Sequence, residues 1–149
     1  LSVDGHSGVT INCMPDYILF ALRSYIHSEF RCDQDVKCLV DEMAAYNHFC
    51  KYLRTFGGKD FNIILRVSSM LWNNTYAQNA LRIICRWFFQ YGATAIICSP
   101  GYGNNLSSCK YVADQIAADI PIPVYLETDD PDIELSNSHH IAGCCLSSL

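Results

Sequence analysis

The segment ALRIICRWFFQYGATAIIC, residues 80 to 98, constrains the fold more than any other part of the chain, because its apolar residues leave no polar face. It is followed by Pro100 and Gly101. A helix that is apolar all round is buried all round, so one interpretation is a central helix enclosed by other helices. The other interpretation is a buried strand, Thr94 to Cys98, that runs into a Gly-rich loop able to cradle a phosphate. The first leads to an all-helical bundle and the second to an α/β domain.

The remaining segments favour the bundle. Residues 16–30, 36–53, 60–72 and 106–120 place apolar side chains three and four positions apart, which is typical of amphipathic helices. An α/β domain needs alternating strands and helices, and no segment before residue 90 has a clear strand pattern. We therefore predict an all-α fold, a helical bundle with a central buried hydrophobic helix. Its domain covers residues 15–136, after an N-terminal extension over 1–14 and before a C-terminal tail over 137–149. We expect residues 86–98 to be helical and buried, and the tail to be dispensable for folding.

Composition and charge exclude several classes of function. The chain has 149 residues and a net charge of −5, and no run of Lys or Arg that would mark a nucleic-acid-binding surface. No apolar stretch reaches the length of about 18 residues that a membrane span needs. The first residues lack the basic start and apolar core of a signal peptide, and the nine cysteines are odd in number and lie mostly in apolar segments. We therefore expect an intracellular, cytoplasmic protein with free thiols.

No catalytic or metal-binding pattern stands out. The Gly101-Tyr102-Gly103 loop lacks the third glycine and the following Lys of phosphate-binding loops. The pairs His139-His140 and Cys144-Cys145 are adjacent, whereas zinc ligands are usually two to four residues apart. No strand-turn-helix signature frames a nucleophile. We predict a binding protein without a cofactor or a bound metal, and not an enzyme.

Four short motifs resemble those of a known family. Residues 88–93, FFQYGA, look like the FFxFGG end of a first homology motif, and Asn79-Ala80-Leu81-Arg82 is similar to its Asn-Trp-Gly-Arg signature. Residues 125–127 stand where a second motif has Trp-Ile-Gln, and residues 40–44 resemble a degenerate third motif. In order and spacing these segments resemble the Bcl-2 family of apoptosis regulators, in particular its divergent viral pro-survival homologues.

The resemblance implies a function. It implies an inhibitor of apoptosis that sequesters BH3 helices of pro-apoptotic Bcl-2 proteins, of the Bim, Bak or Bax type, in a hydrophobic groove. Binding such partners would bring the protein to the mitochondrial outer surface. The resemblance leaves open whether the protein forms a homodimer. Arg82, or Arg86 one turn later, would pair with the conserved Asp of the partner. The groove residues that the resemblance implies are Tyr46, Phe49, Leu53, Val67, Leu71, Asn79, Arg82, Cys85 and Phe89. Two alternatives stay open: an α/β small-ligand or nucleotide-binding domain that uses the loop from Gly101 to Gly103, and a secreted helical cytokine.

Overall fold

The computed structural model of the chain describes residues 2–3, 6–16, 19, 33–101 and 105–128. In chain order its elements are β1 (Ser2–Val3), β2 (His6–Cys13), α1 (Asp33–Gly57), β3 (Asn62–Ser68), α2 (Thr75–Tyr91), β4 (Ala95–Ser99), α3 (Leu106–Asp119) and β5 (Val124–Leu126). Strands and helices alternate from β2 onward. The fold is therefore mixed α/β, and the predicted all-α bundle is wrong.

The strands form one sheet whose order follows the chain, β1-β2-β3-β4-β5. β1 is antiparallel to β2, and β2 to β5 are parallel to one another. When successive parallel strands are added on the same side, right-handed crossovers bring every connecting helix to one face of the sheet. The described helices do form one layer, in which α2 packs between α1 and α3, and α3 covers β4 and β5.

The hydrophobic core lies between this helix layer and the sheet. One row across the strands illustrates it, because Ile11, Leu65, Ile96 and Val124 are aligned in register and all are buried. Each strand sends alternate side chains to opposite faces, so the residues between them point to the second face. Ile97 is one of these, and it is buried without belonging to the core cluster.

The segment from 80 to 98 is half helix and half strand, so the expectation of a helix over 86–98 is wrong. Helix α2 stops because Gly92 adopts a left-handed conformation, with φ of 110°, and its N–H donates to the last carbonyls of the helix. The Arg54 guanidinium donates to the carbonyl oxygen of Gly92 and holds this turn against the end of α1. The next residues, Ala95–Ser99, are buried and form β4. The strand interpretation therefore holds for this part of the segment.

Residues 60–72 were expected to be helical, with Ile64, Val67 and Leu71 on one face. The structure instead has β3, in which Ile63, Leu65 and Val67 are fully buried and the residues between them are half-buried. Burial therefore repeats every two residues and not every 3.6, as a strand requires.

Two of the predicted helices are confirmed. The helix expected over 36–53 is contained in α1, which ends at Gly57, and the one expected over 106–120 is α3. Residues 1–14, expected to be an extension, contain β1 and β2, and β2 pairs with β3 inside the sheet. Most of the helix expected over 16–30 and the whole tail over 137–149 lie outside the described residues.

Candidate functional site

The nine residues expected to line a BH3 groove do not form one surface. Leu53, Val67 and Cys85 are buried in the core, and Val67 lies on a strand. Phe49 and Asn79 are exposed, on α1 and α2 respectively. The remaining hydrophobic members, Tyr46, Leu71 and Phe89, are half-buried and pack against the core.

Arg82, the expected anchor for a partner helix, already has a carboxylate partner within the chain. Its Nη2 lies 3.0 Å from Oδ2 of Asp119 at the end of α3, and Nη2 of Arg86 lies 3.4 Å from the same oxygen. The Arg86 side chain is about half exposed. The two arginines and Asp119 therefore join α2 to α3 at the surface of the helix layer.

The carboxyl edge of the sheet, where the parallel strands end, gathers a different set of side chains. The loops that follow the parallel strands leave the sheet at this edge, and loops held by a rigid scaffold often carry binding residues. Asp16, just after β2, reaches the loop after β3: its Oδ1 accepts a hydrogen bond from Ser69 Oγ at 2.7 Å, and its Oδ2 accepts one from the Met70 N–H at 2.9 Å. Ser69 Oγ also accepts a hydrogen bond from the Leu71 N–H. One carboxylate therefore fixes the loop 69–72 in place.

The loops after β3 and β4 are also in close contact. Gly101 has φ of 72°, and a Cβ at this position would lie 3.0 Å from Met70 Sδ and 3.1 Å from the Ser69 carbonyl oxygen. Asn105, at the start of α3, donates from Nδ2 to the Met70 carbonyl oxygen at 3.3 Å. The loop 69–72 is thus held by the segments on both sides of it. Glycine is required at 101 both by the backbone conformation and by this close approach.

Large apolar side chains stay exposed at the same edge. Met14 follows β2 and is 64% exposed, and Met70 follows β3 and is 43% exposed. Tyr76, in the first turn of α2, is 39% exposed. Methionine is flexible and polarisable, and it is frequent at surfaces that adapt to ligands. We call the group Met14, Asp16, Ser69, Met70, Tyr76 and Gly101 the edge site.

A second polar group, centred on Arg66, lies at the carboxyl end of the second face. The guanidinium forms a bidentate pair with Glu127, at 2.8 Å from Nε and 3.0 Å from Nη2. It also donates to Ser99 Oγ at 3.2 Å, to Ser68 Oγ at 3.1 Å and to Asn12 Oδ1 at 3.5 Å. These partners come from the segments of all four parallel strands, and they engage each nitrogen of the guanidinium. Arg66 therefore holds the strand ends in register.

The thiols of the described residues are poor nucleophiles. Cys13, Cys50, Cys85, Cys98 and Cys109 are free and buried, as the sequence predicted for most of the cysteines. Desolvation by burial raises the pKa of Cys98 to about 12, and it raises that of Cys13 to about 11 despite a hydrogen bond with Tyr46 that lowers it. Such thiols stay protonated near neutral pH and are unreactive.

No group of three or more His, Cys, Asp and Glu side chains within the described residues is placed to hold a metal ion. The pairs His139-His140 and Cys144-Cys145 lie outside those residues, as do Tyr102 and Gly103 of the Gly-rich loop. Among the helices that the structure describes, none combines the length and the apolar character needed to cross a membrane.

Met14, Asp16, Ser69 and Met70 were not predicted as site residues from the sequence. Their common feature is that each follows a strand at the edge where ligands bind, and this feature becomes visible only once the strands are recognised. The available signal was the alternation in residues 62–68. Comparisons with protein-family models, curated proteins and solved structures gave no match for the chain.

Proposed function

We propose that this chain is a ligand-binding α/β domain that takes a small organic molecule at the edge site. The observation that carries the proposal is the combination of exposed Met14 and Met70 with a carboxylate, that of Asp16, which backbone and side-chain donors hold in one orientation. Small-molecule sites typically combine apolar side chains with a few fixed polar groups, and loops held by a rigid scaffold often carry them.

The described residues favour binding over catalysis at this edge. Ser69 is buried, and its hydroxyl hydrogen-bonds to Asp16 and to the Leu71 N–H. A nucleophilic serine must present its hydroxyl to a substrate, which the buried Ser69 does not do. The thiols that the structure describes are buried, and burial raises their pKa values. We therefore propose a binding role without a chemical step.

A nucleotide is a less suitable ligand than a molecule without phosphate groups. Arg66 and Lys110 are the basic side chains that the structure describes near this edge, and each pairs with a carboxylate, Glu127 and Asp114 respectively. The loop after β4 retains Gly101 but not the glycine pattern of phosphate-binding loops. We therefore propose a small organic molecule, and not a nucleotide, as the ligand.

BH3 binding stays a prediction from the sequence motifs, but its structural basis was an all-helical bundle that the chain does not have. The segment at residues 125–127, expected to match a helical second motif, lies at β5. The anchor residue Arg82 pairs with Asp119. The carboxyl edge therefore supports a different binding function better.

The methionines offer a direct test, because the chain has only three. Protein labelled with ¹³C at the methionine ε-methyl groups would give three signals, of which Met14 and Met70 report on the edge site and the fully buried Met43 reports on the core. Titration with a library of small organic molecules should identify ligands that shift the Met14 and Met70 signals and leave Met43 unchanged.

A pair of matched variants completes the test. Met70→Ala should weaken the binding of such a ligand by about tenfold, the loss expected when roughly one good apolar contact is removed. Tyr111→Ala, which removes an exposed side chain from the outer surface of α3, should leave the affinity unchanged. The proposal fails if every bound ligand leaves Met14 and Met70 unshifted, or if Met70→Ala and Tyr111→Ala have equal effects.

A further inference from the structure

We infer that the edge site selects an organic cation, a protonated amine on a small apolar body. The inference rests on the proposed function, since it specifies the chemical class of the ligand for the same site. It is carried by three observations, which are the hydrogen bonds of the Asp16 carboxylate, the pairing of the other described charges near this edge and the nature of the exposed side chains.

Among the described residues, two donors bind the Asp16 carboxylate, and it can accept more hydrogen bonds than these two. Each oxygen accepts one bond, Oδ1 from Ser69 and Oδ2 from the Met70 N–H, and an ionised carboxylate has about four acceptor positions. Those two donors hold the group in one orientation at an incompletely buried position. An ammonium group carries three N–H donors and no acceptor, so it complements such a carboxylate directly.

Asp16 is a carboxylate of the carboxyl edge that has no basic partner among the described residues. Glu127 forms a salt bridge with Arg66, and Asp114 forms one with Lys110. The charges within these two pairs cancel, so the negative charge that remains among the described residues of this edge is that of Asp16. In a chain with a net charge of −5, this charge attracts cations to the edge site.

The exposed side chains of the site suit the apolar body of an amine. Tyr76 presents an aromatic ring, whose face attracts cations, and Met14 and Met70 present flexible thioethers. None of these groups donates to an anion except the Tyr76 hydroxyl. A ligand with a positively charged head and a hydrocarbon body would use both kinds of contact.

The N-termini of α2 and α3 also point to this edge, and a helix N-terminus by itself favours anions. At α2 the first N–H groups are already occupied, because Asn74 Oδ1 accepts hydrogen bonds from the Tyr76 and Ala77 N–H groups. The basic side chains described near the edge are paired with carboxylates. The Asp16 carboxylate therefore decides the sign of the charge that the ligand carries.

Three probes of similar size and different charge test the inference: phenethylammonium, phenethyl alcohol and phenylacetate. The Met14 and Met70 ε-methyl signals of the full chain are followed during each titration, with Met43 as the internal control. We expect phenethylammonium to bind at least about tenfold more tightly than the other two, the difference that one charge-assisted hydrogen bond produces. Its affinity should fall several-fold between about 20 and about 300 mM salt, whereas that of the neutral alcohol should not change.

Two matched variants separate the local charge of Asp16 from the net charge of the chain. Asp16→Asn removes the charge at the edge site and should abolish the preference for the cation. Asp60→Asn removes the same charge from an exposed residue in the loop between α1 and β3, so the preference should persist. The salt dependence of the unmodified chain gives the same information if Asp16→Asn does not fold.

The possible failures are distinguishable. If the alcohol or phenylacetate binds as tightly as the amine and shifts Met14 and Met70, the edge site stands and the assignment of a cationic ligand is overturned. If no probe and no library compound shifts these two signals, the proposed function itself fails.

Discussion

Trp72 shows how a single buried side chain connects the edge site to the core. It is fully buried, its indole N–H donates to the Ser99 carbonyl oxygen at 2.7 Å, and its own carbonyl oxygen accepts a hydrogen bond from Gln78 Nε2. The bond to Ser99 joins the end of the loop after β3 to the end of β4. Trp72 therefore supports the position of Met70 and Ser69, which precede it in the same loop.

Replacing Trp72 should be costly, and the other tryptophan provides the control. Trp72→Ala should lower the free energy of unfolding by about 3–5 kcal/mol, because it leaves a large cavity and removes the partner of a buried carbonyl. Trp87 is only half-buried, so Trp87→Ala should cost less, about 1–2 kcal/mol. Urea unfolding followed by circular dichroism measures both values. Equal losses in the two variants would contradict the positions of these side chains.

Gly101 and Gly58 form a matched pair for testing the contact between loops. Both have positive φ, but a Cβ at Gly58 would meet nothing within 4 Å, whereas one at Gly101 would press on Met70 Sδ and the Ser69 carbonyl oxygen. Gly58→Ala should therefore lower the free energy of unfolding by about 1 kcal/mol, because only the left-handed backbone conformation is unfavourable for alanine. Gly101→Ala should cost at least about 1 kcal/mol more, since the neighbouring loop must also move.

Thermal unfolding of the two variants gives the comparison, and the ε-methyl signal of Met70 gives a second measure. We expect this signal to shift in Gly101→Ala and to stay in place in Gly58→Ala. A Gly101→Ala protein with an unshifted Met70 signal and the stability of Gly58→Ala would show that the two loops are not in contact.

At the residue scale the sequence predicted some features and missed others for a physical reason. Free, buried cysteines could be predicted because a thiol in an apolar segment behaves as a small hydrophobic group. The roles of Asp16 and Met70 could not, because both depend on which strand ends lie side by side. That neighbourhood is set by contacts between residues more than 50 positions apart in the chain.

Among the elements, the described helices were predicted more accurately than the strands. Helices α1 and α3 have one polar face, and their ends carry clear signals, such as Gly57-Gly58 and Pro121. β3 was assigned to a helix because Ile64, Val67 and Leu71 are spaced like one face of a helix. A short run of Ile, Leu and Val fits both periods, and only its pairing with β2 and β4 makes it a strand.

Two neighbouring residues of β3 distinguish these alternatives. In a strand, Leu65 points into the core and Ile64 points to the second face, and Leu65 is fully buried while Ile64 is half-buried. Leu65→Ala should therefore lower the free energy of unfolding by about 3–4 kcal/mol and Ile64→Ala by about 1–2 kcal/mol. Denaturant unfolding measures the difference. A larger loss for Ile64→Ala than for Leu65→Ala would support the helical spacing and contradict the sheet.

At the scale of the whole molecule, the choice between the two folds depended on residues 80–98. Their apolar character correctly indicated burial, but a helix packed on a sheet and the strand that follows it are both buried, so composition alone could not separate them. Gly92 marks the boundary, since its conformation ends α2 and lets the chain turn back as β4. With the boundary at Gly92, residues 80–98 are the end of a helix followed by a strand, as an α/β fold requires.

The buried thiols make stability depend on alkaline pH. An unfolded thiol has a pKa near 9.0, whereas burial raises the pKa of Cys13 to about 11 and that of Cys98 to about 12. Above pH 9.0 the unfolded chain therefore binds fewer protons than the folded one, and the free energy of unfolding falls as pH rises through the range up to these folded pKa values. Each such thiol lowers the free energy of unfolding by about 1.4 kcal/mol per pH unit between its unfolded and its folded pKa.

Urea unfolding between about pH 8 and about pH 10.5 should show this decline. In Cys98→Ala the free energy of unfolding should fall less steeply with pH, because about one proton fewer is released on unfolding. Other groups that titrate in this range act equally in both proteins, so the difference between the two slopes isolates Cys98. The same slope in both proteins would mean that this thiol is not buried in the folded state.

The order of the strands in the sheet has a consequence for how the chain assembles. Because β2, β3, β4 and β5 occupy the sheet in the order in which they occur in the chain, each strand pairs with the one synthesised just before it. No described strand has to insert between two that have already paired. The sheet can therefore grow by addition at one edge while the chain emerges from the ribosome, with each new helix closing over the strand that precedes it. Such stepwise growth keeps the loops that must close short at every stage, which lowers the entropic cost of forming a parallel sheet.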